Sequence, residues 1–566
     1  AEASQPIAMD LLLNQISLQN IDVDYRNDVS AFYNTIKLGK LEVDAKKIDL
    51  PHMMIDLDKL HLDKTVAVVR LGNKEQAKVV AKQLGQEVAA QAQNNWRVRV
   101  ADLELNDNDI RFDDDTKPKL AKGMDFSHLK ADNLTFHADD LFYSSDTISA
   151  KVTKGTFVEK SGFRLNRLET NFMFAAKEAY LEDLVVETPG TRITRSIHLN
   201  YPSLDAVAKN PATLQLNVDL DNSKVQVKDI LAFVPALGAQ PAFSNPSAVW
   251  LVDGKVTGTT GNMHIDHLSF RGLSNTKLDV SGNVTGMPDM NRMRGNLNIR
   301  NFTTNKTDLA LFIPKGSLPQ NITLPDAVSL NGTVNGGMQD VTTNLNINTS
   351  LGNATIKGRI QQPTDPKAVK YAMSISARGL QLGRIMQNTE MFGPITADLT
   401  ANGRGFDPAV AQGSVKGVIH SAVVKNYNYK NVKLDASIAG KQFTAKTSIH
   451  DPNIDLTLDA SGVLTDKFPS LKLKANIDSL KAQELHLTPN VVIYRGNIDA
   501  DFANTDPDNL DGRMLVLHSI LVNDAQRIQL DTLSVVAGRN DTVGRFLKLT
   551  SDIATAAIEG EYKLTE

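Results

Sequence analysis

The sequence contains no cysteine, which excludes a disulfide framework, thiolate metal centres, iron–sulfur clusters and a thiol nucleophile. That absence suits an oxidising envelope, where a stray thiol is a liability, although cysteine-free chains occur in every compartment. Aromatic residues are scarce, 6% of 566 with two tryptophans. Charge of one sign is lacking as well: Lys and Arg number 61 and Asp and Glu 65, so the net is 61 − 65 = −4. Nothing in that balance draws the chain to nucleic acid or to an acidic membrane surface. No apolar run approaches the ~20 residues of a membrane-spanning helix. The opening Ala1-Glu2-Ala3-Ser4 has neither the basic nor the apolar region of a signal peptide. A strand-like pattern starts almost at once and still runs at Ile558-Glu559-Gly560-Glu561-Tyr562. We therefore expect a segment of a longer protein, with any anchor or export signal outside it.

What is present is period two. Ile21-Asp22-Val23-Asp24-Tyr25, Leu214-Gln215-Leu216-Asn217-Val218-Asp219-Leu220 and Leu471-Lys472-Leu473-Lys474-Ala475-Asn476-Ile477 alternate apolar with polar. Successive strand side chains point to opposite faces, so each segment has one apolar and one polar face, as in antiparallel sheet wetted on one side. Asn, Asp, Gly and Pro punctuate the runs as turns require. One longer helix is expected at Lys74–Asn95, where Val80, Leu84, Val88 and Ala92 recur every fourth residue. Short helical turns are expected at Ser203–Lys209 and Asp229–Val234, each closed by a nearby proline.

An internal repeat emerges by direct comparison. Asp229-Ile230-Leu231-Ala232-Phe233-Val234-Pro235 recurs as Asp308-Leu309-Ala310-Leu311-Phe312-Ile313-Pro314, and Asp253–Gly258 recurs as Asn331–Gly336. Ser281-Gly282-Asn283-Val284 matches Lys357-Gly358-Arg359-Ile360, with a looser third copy at Leu458–Val463. The organisation expected is a β-strand array over 1–73, a helical insertion over 74–95 and a β-groove segment over 96–228. Repeat units over 229–307 and 308–390 and further repeats over 391–566 follow. The fold class expected is all-β: an elongated, curved, mostly antiparallel sheet folded into a trough, with few short helices.

About 45 strands of ~11–12 residues would stack at ~4.8 Å into a ribbon on the order of 200 Å. Helices are too few to cover its apolar face. Either a facing sheet covers it, giving a dry sandwich or solenoid, or the sheet curls around an apolar ligand. Period alone favours the sandwich, and the mostly aliphatic composition leans modestly toward acyl chains over glycans.

Several phrases carry a family resemblance. Lys160-Ser161-Gly162-Phe163, Glu178-Ala179-Tyr180-Leu181 and Glu187-Thr188-Pro189-Gly190-Thr191 are similar to the TamB family of Bacteroidota type. So are Tyr201-Pro202-Ser203-Leu204, Phe302-Thr303-Thr304, Ile313-Pro314-Lys315-Gly316 and Gly403-Arg404-Gly405-Phe406-Asp407-Pro408. Lys425–Asn431 and Ala503–Pro507 continue the resemblance, which spans most of the chain. It implies membership of the AsmA-like superfamily of bridge-like lipid transfer proteins. That in turn implies a periplasmic β-trough anchored by an amino-terminal helix in the inner membrane, a TamA-type outer-membrane barrel as partner, and phospholipid movement between the membranes. On that basis acyl chains would lie against Leu216, Val218, Leu220, Leu297, Ile299, Leu345, Ile347, Met373, Ile375, Leu456, Leu458, Leu473 and Ile477. A single bulge would flip such an assignment.

No cofactor, metal or catalytic residue is expected. No phosphate loop of the GxxxxGK[ST] form occurs, and Gly272-Leu273-Ser274-Asn275-Thr276 departs from a nucleophile elbow at its last residue. His264 and His267 are three apart, which in a regular strand places them on opposite faces. Asp113-Asp114-Asp115 lacks the spacing of a calcium loop and reads as a solvated turn. The competing classes are a structural or adhesive β-array of passenger type with a dry core, a chaperone for barrel assembly, and, weakest, a glycan-active β-helix enzyme, whose ridge of carboxylates and aromatics is missing.

Overall fold

The computed structural model describes residues 14–27, 31–72, 96–313, 321–406, 410–465, 467–541 and 544–565. The helix expected at Lys74–Asn95 lies outside them. Contacts divide the chain into two compact units, 1–293 and 294–566.

Among the described residues the first unit carries fifteen strands. They are β1 Gln15–Asn27, β2 Phe32–Asp49, β3 Met54–Asp63, β4 Val66–Leu71, β5 Arg97–Asp114, β6 His128–Tyr143, β7 Thr147–Glu159 and β8 Arg164–Leu165. Then come β9 Arg167–Ala175, β10 Glu178–Glu187, β11 Arg192–Asn200, β12 Gln215–Gln226, β13 Val249–Thr259, β14 Asn262–Gly272 and β15 Thr276–Thr285. Most neighbours pair antiparallel. The exceptions are β3 and β4, which both run parallel to β5 and behave as one strand broken at Lys64–Thr65. Asn108 fills the break: the Thr65 amide donates to its Oδ1 at 2.8 Å, and its Nδ2 donates to the Leu62 carbonyl at 2.9 Å. Both Thr65 and Asn108 are buried, so the irregular backbone keeps its hydrogen bonds away from water.

Apolar positions of this unit pair in rows across strands. Ile16, Val43, Leu60, Leu103, Ala138 and Val152 follow one another from β1 to β7. Val43, Leu57, Val100, Leu103, Ala138 and Ala150 form one buried cluster, and Met124, Phe163 and Leu165 a second.

Among the described residues the second unit is a plain meander of sixteen strands. They are β16 Arg294–Asn305, β17 Ala327–Gly337, β18 Asp340–Thr349, β19 Gly352–Gln361, β20 Lys370–Gln381, β21 Phe392–Arg404, β22 Gln412–Val424 and β23 Tyr427–Ala439. β24 Gln442–Asp451, β25 Ile454–Val463, β26 Ser470–Lys481, β27 Val492–Asn504, β28 Asp511–Asn523, β29 Gln526–Asn540, β30 Gly544–Ser551 and β31 Thr555–Glu559 complete it. Each pairs antiparallel with the next.

The all-β, mostly antiparallel class is therefore as expected, but the strand count is not. The described residues form 31 strands where the turn spacing suggested about 45. The strands and their connections are longer than that spacing allowed: β2 and β5 run 18 residues each. Within strands the register shifts between Leu220 and Ser223, Ile299 and Phe302, Ala377 and Leu380, and Ile477 and Leu480, and each shift breaks the alternation without ending the ladder.

Among the described residues α-helix is confined to short pieces of one to two turns: α1 Leu204–Lys209, α2 Val227–Phe233, α3 Lys306–Phe312 and α4 Leu382–Ile385. Ser203 caps α1, its hydroxyl accepting from the Ala206 amide at 3.1 Å. α2, α3 and α4 follow β12, β16 and β20 directly, at intervals of 306 − 227 = 79 and 382 − 306 = 76 residues. The repeated unit is thus four strands and one helical turn. Two of the recurring phrases fall on equivalent strands, β13 with β17 and β15 with β19, whereas the looser third copy at Leu458–Val463 lies on β25, out of step with that period.

Candidate functional site: an uncharged strand face

The registers of the second unit decide which candidate side chains share a face. One row runs Leu297, Val334, Thr343, Gly358, Met373 and Ala401, and continues through Val415, Ala436, Ala445, Ala460 and Leu473 to Ala500. A second runs Ile299, Gly332, Leu345, Ile356, Ile375 and Leu399, then Gly417, Leu434, Thr447, Leu458, Ala475 and Ile498. A third joins Phe302, Leu330, Ile347, Ala354, Ala377 and Ala397, then Ile419, Val432, Ile449, Leu456 and Ile477. Every candidate of this unit lies on one of these adjacent rows: Leu297, Met373 and Leu473 on the first, Ile299, Leu345, Ile375 and Leu458 on the second, Ile347, Leu456 and Ile477 on the third. The three rows contain no charged side chain, and their only polar ones are Thr343 and Thr447. The bulges do not scramble the face, although they fall at different rows: between the second and third at Ile299–Phe302, and beyond the third at Ala377–Leu380 and Ile477–Leu480.

Burial distinguishes this face from a sandwich core. Leu297, Ile299, Leu345, Ile347, Met373, Ile375, Leu456, Leu458 and Leu473 are all half-buried, and Ile477 alone is buried. The buried row positions are mainly alanines, Ala377, Ala397, Ala460, Ala475 and Ala500. Short side chains between longer neighbours lose water contact without a second layer above them. A facing sheet would instead bury the leucines and isoleucines. Both packed clusters among the described residues belong to the first unit. There, Leu216, Val218 and Leu220 are also half-buried, and face Leu199, Ile197 and Arg195 on β11 and Gly258, Val256 and Gly254 on β13.

The opposite face is polar and ordered by charge. Lys416, Asp435, Lys446, Asp459, Lys474 and Asp499 stand on six consecutive strands in one row, strictly alternating in sign. Ion pairs close at 3.0 Å for Lys416–Asp435, 3.1 Å for Lys446–Asp459 and 3.8 Å for Lys474–Asp499. A cavity of about 640 Å³ in this region is lined by side chains of both kinds: Asp435, Lys446, Asp459 and Lys474 of the ladder, and Leu434, Leu458 and Ile498 of the second apolar row. The ladder charges cancel in alternation, so they offer no net field to an ionic ligand. Nearer the start of the unit, Arg359 donates to Asp340 through Nε at 2.7 Å and also through Nη2, holding that carboxyl at about 2. Ser376, His420 and Arg378 together hold Asp398 well below the usual carboxylate range.

Two expectations are corrected. His264 and His267 lie on the same face, because the bulge at Asp266 pairs them with Thr257 and Lys255, two residues apart. They still do not converge: His264 Nε2 is 3.0 Å from Asp266 and His267 Nε2 3.2 Å from Asp253. Asp113–Asp115 is an ion-paired strand end instead of a solvated turn. Asp113 is buried and accepts from Arg111 Nε at 2.5 Å, and Asp115 pairs with Arg70.

One polar group was not legible in the sequence. The parallel register of β3 and β5 sets His61 opposite Glu104, with Nε2 2.9 Å from Asp102 and Nδ1 3.6 Å from Glu104. Each ring nitrogen faces a different carboxylate, and Lys59 stands opposite Asp102. This is the geometry of a charge ladder. No family model, curated protein or solved structure matches the chain.

Proposed function

We propose that the chain is a lipid-conducting segment of a periplasmic protein of TamB/AsmA-like type, whose uncharged strand face carries phospholipid acyl chains between the inner and outer membranes. The observation that carries the reading is the half-exposed aliphatic face of the second unit, three uncharged rows deep and backed by an ion-paired polar face. Eleven inter-strand steps of about 4.8 Å give the first two rows a contour of roughly 50 Å. An apolar strip of that extent needs an occupant in water.

Acyl chains would lie across the rows with their headgroups in solvent. Each buried CH₂ contributes about 0.8 kcal/mol. A step along near-uniform rows exchanges like contacts for like, so the lipid is held without a deep trap. Nothing in the face supplies energy, and direction comes from another component. The resemblance adds an inner-membrane anchor outside this segment, a TamA-type barrel as partner, and a role without catalysis. A dry structural array is the second reading, favoured in the first unit by the cluster around Val100 and Ala138.

The test is lipid extraction and mass spectrometry of purified chain. Ile375→Asp on the apolar face should lose bound phospholipid, whereas Ser374→Asp on the polar face should keep it. Equal lipid content in the two variants would remove the assignment.

A further inference from the structure

The first unit presents a second apolar surface, distinct from the strand rows. The loop Lys117–Phe126 packs onto α2: the Met124 amide donates to the Ala232 carbonyl at 2.6 Å, and Gly123 sits where a Cβ would strike Pro235. An aromatic chain runs outward through this contact. Phe157 packs on Phe163 with centroids 6.0 Å apart, Phe163 meets Phe233 edge-on at 5.2 Å, and Phe233 lies 6.4 Å from Phe126. Phe163 is buried, but Phe233 is 49% exposed and Phe126 59% exposed, with Leu120 at 57% and Val234 at 47%. In a chain with few aromatics, two phenylalanines held in the open on a packed base are a costly arrangement for a surface that meets only water.

The charge around them leans positive, with Lys119, Lys122 and Lys228 against Asp125 and Asp229. Lys122 and Lys228 line a cavity of about 520 Å³ beneath α2 whose walls include Phe163, Leu231, Ala232 and Pro235. Lys122, Lys228 and nearby Lys119 are exposed and enter no ion pair among the described residues. The carboxylates in reach, Asp229 of the cavity wall and Asp125, keep their charge but are oriented by other donors and pair with none of these lysines. Asp229 accepts from the Thr188 and Thr191 hydroxyls, and Asp125 accepts from the Leu120 amide and contacts His128 Nδ1 at 3.0 Å. Whole-chain charge, averaged over the ladders, conceals this local excess.

Exposed phenylalanine and leucine inside a rim of unpaired lysine match the boundary of a bilayer with anionic headgroups: rings and aliphatic tips enter the acyl boundary and ammonium groups meet phosphate. We infer that the Lys117–Phe126 loop and the end of α2 form a membrane-docking foot for an anionic bilayer surface. This goes beyond the conduit reading and does not depend on it.

The absence of cysteine makes the test direct. Phe126→Cys, at an exposed position, carries a single environment-sensitive fluorophore in the full chain, and Lys474→Cys on the charge ladder is the control. Vesicles of phosphatidylglycerol and phosphatidylcholine in equal parts should blue-shift the label at 126 and not at 474. Adding Lys122→Glu and Lys228→Glu should weaken the response on the order of tenfold or more, and salt should weaken it as well. Phosphatidylcholine alone should give a much smaller shift. Unlabelled chain should co-sediment with the anionic vesicles, and Phe126→Ser with Phe233→Ser should reduce this while circular dichroism stays unchanged. No shift at 126 with folded protein, or a shift indifferent to headgroup charge and to the lysines, would overturn the inference. So would a shift caused by self-association without vesicles. Ile375→Asp should dock normally, so failure of the conduit and failure of the foot give different results.

Discussion

At the scale of single residues, the apolar face depends on positions where a side chain would not fit as much as on those where one is needed. Gly332 stands in the second row at φ +133°, and a Cβ there would lie 2.0 Å from the Asn344 carbonyl oxygen. Gly332→Ala should cost about 1–3 kcal/mol in urea unfolding, and a neutral result would mean the strands do not approach so closely. Ile375→Asp separates an open face from a dry core at the same scale. On a half-exposed face the loss should be about 1 kcal/mol, whereas an unpaired carboxylate in a closed core would cost several. The Asp340–Arg359 pair sets a pH dependence. Its carboxyl is lowered from 3.8 to about 2, so its contribution is fully present above pH 3.8 and is lost as pH falls through about 2. Arg359→Met should therefore move acid unfolding to higher pH, and an unchanged acid midpoint would show the pair to be inert. Which aliphatic residues share the face was legible because alternation survives in each half-strand. The facing of His264 and His267 was not, because a one-residue bulge leaves no mark in the pattern of residue types.

At the scale of elements, α2, α3 and α4 follow β12, β16 and β20, four strands apart, and are made by local chemistry. Asn305 caps α3, its Oδ1 accepting from the Asp308 amide at 2.8 Å, and Asp308 is itself buried. Asn305→Ala should cost about 1 kcal/mol, read as a shift of the denaturation midpoint with unchanged slope. α2 and α3 were visible through their shared Asp-to-Pro phrase. The third, α4, was not: Leu382-Gly383-Arg384-Ile385 keeps none of that phrase. Its place is instead fixed by Gly383, where a Cβ would lie 1.8 Å from the Phe392 carbonyl oxygen. The parallel pairing of β3 and β4 with β5 was equally hidden, since strand direction follows from the connecting chain and alternation is the same in either sense.

At the scale of the whole molecule, the two units differ in what stabilises them. Buried clusters underlie the first, while the second relies on ladder bonds and nearest-neighbour rows, the condition under which stability becomes a sum over repeats. Hydrogen exchange should then be graded across the second unit, fastest in β31, whose five residues are all exposed, and slowest in the middle strands. A single uniform opening rate would contradict this.

The most direct test of the account is photo-crosslinking in cells from four positions. Ile299 and Ile375 lie on the second apolar row, and Asn298 and Ser374 are their exposed neighbours on the polar face. With a photoreactive residue at each position in turn, the account predicts phospholipid adducts at Ile299 and Ile375 and none at Asn298 and Ser374. Folded protein with no lipid at either isoleucine, or with lipid equally at all four, would contradict it.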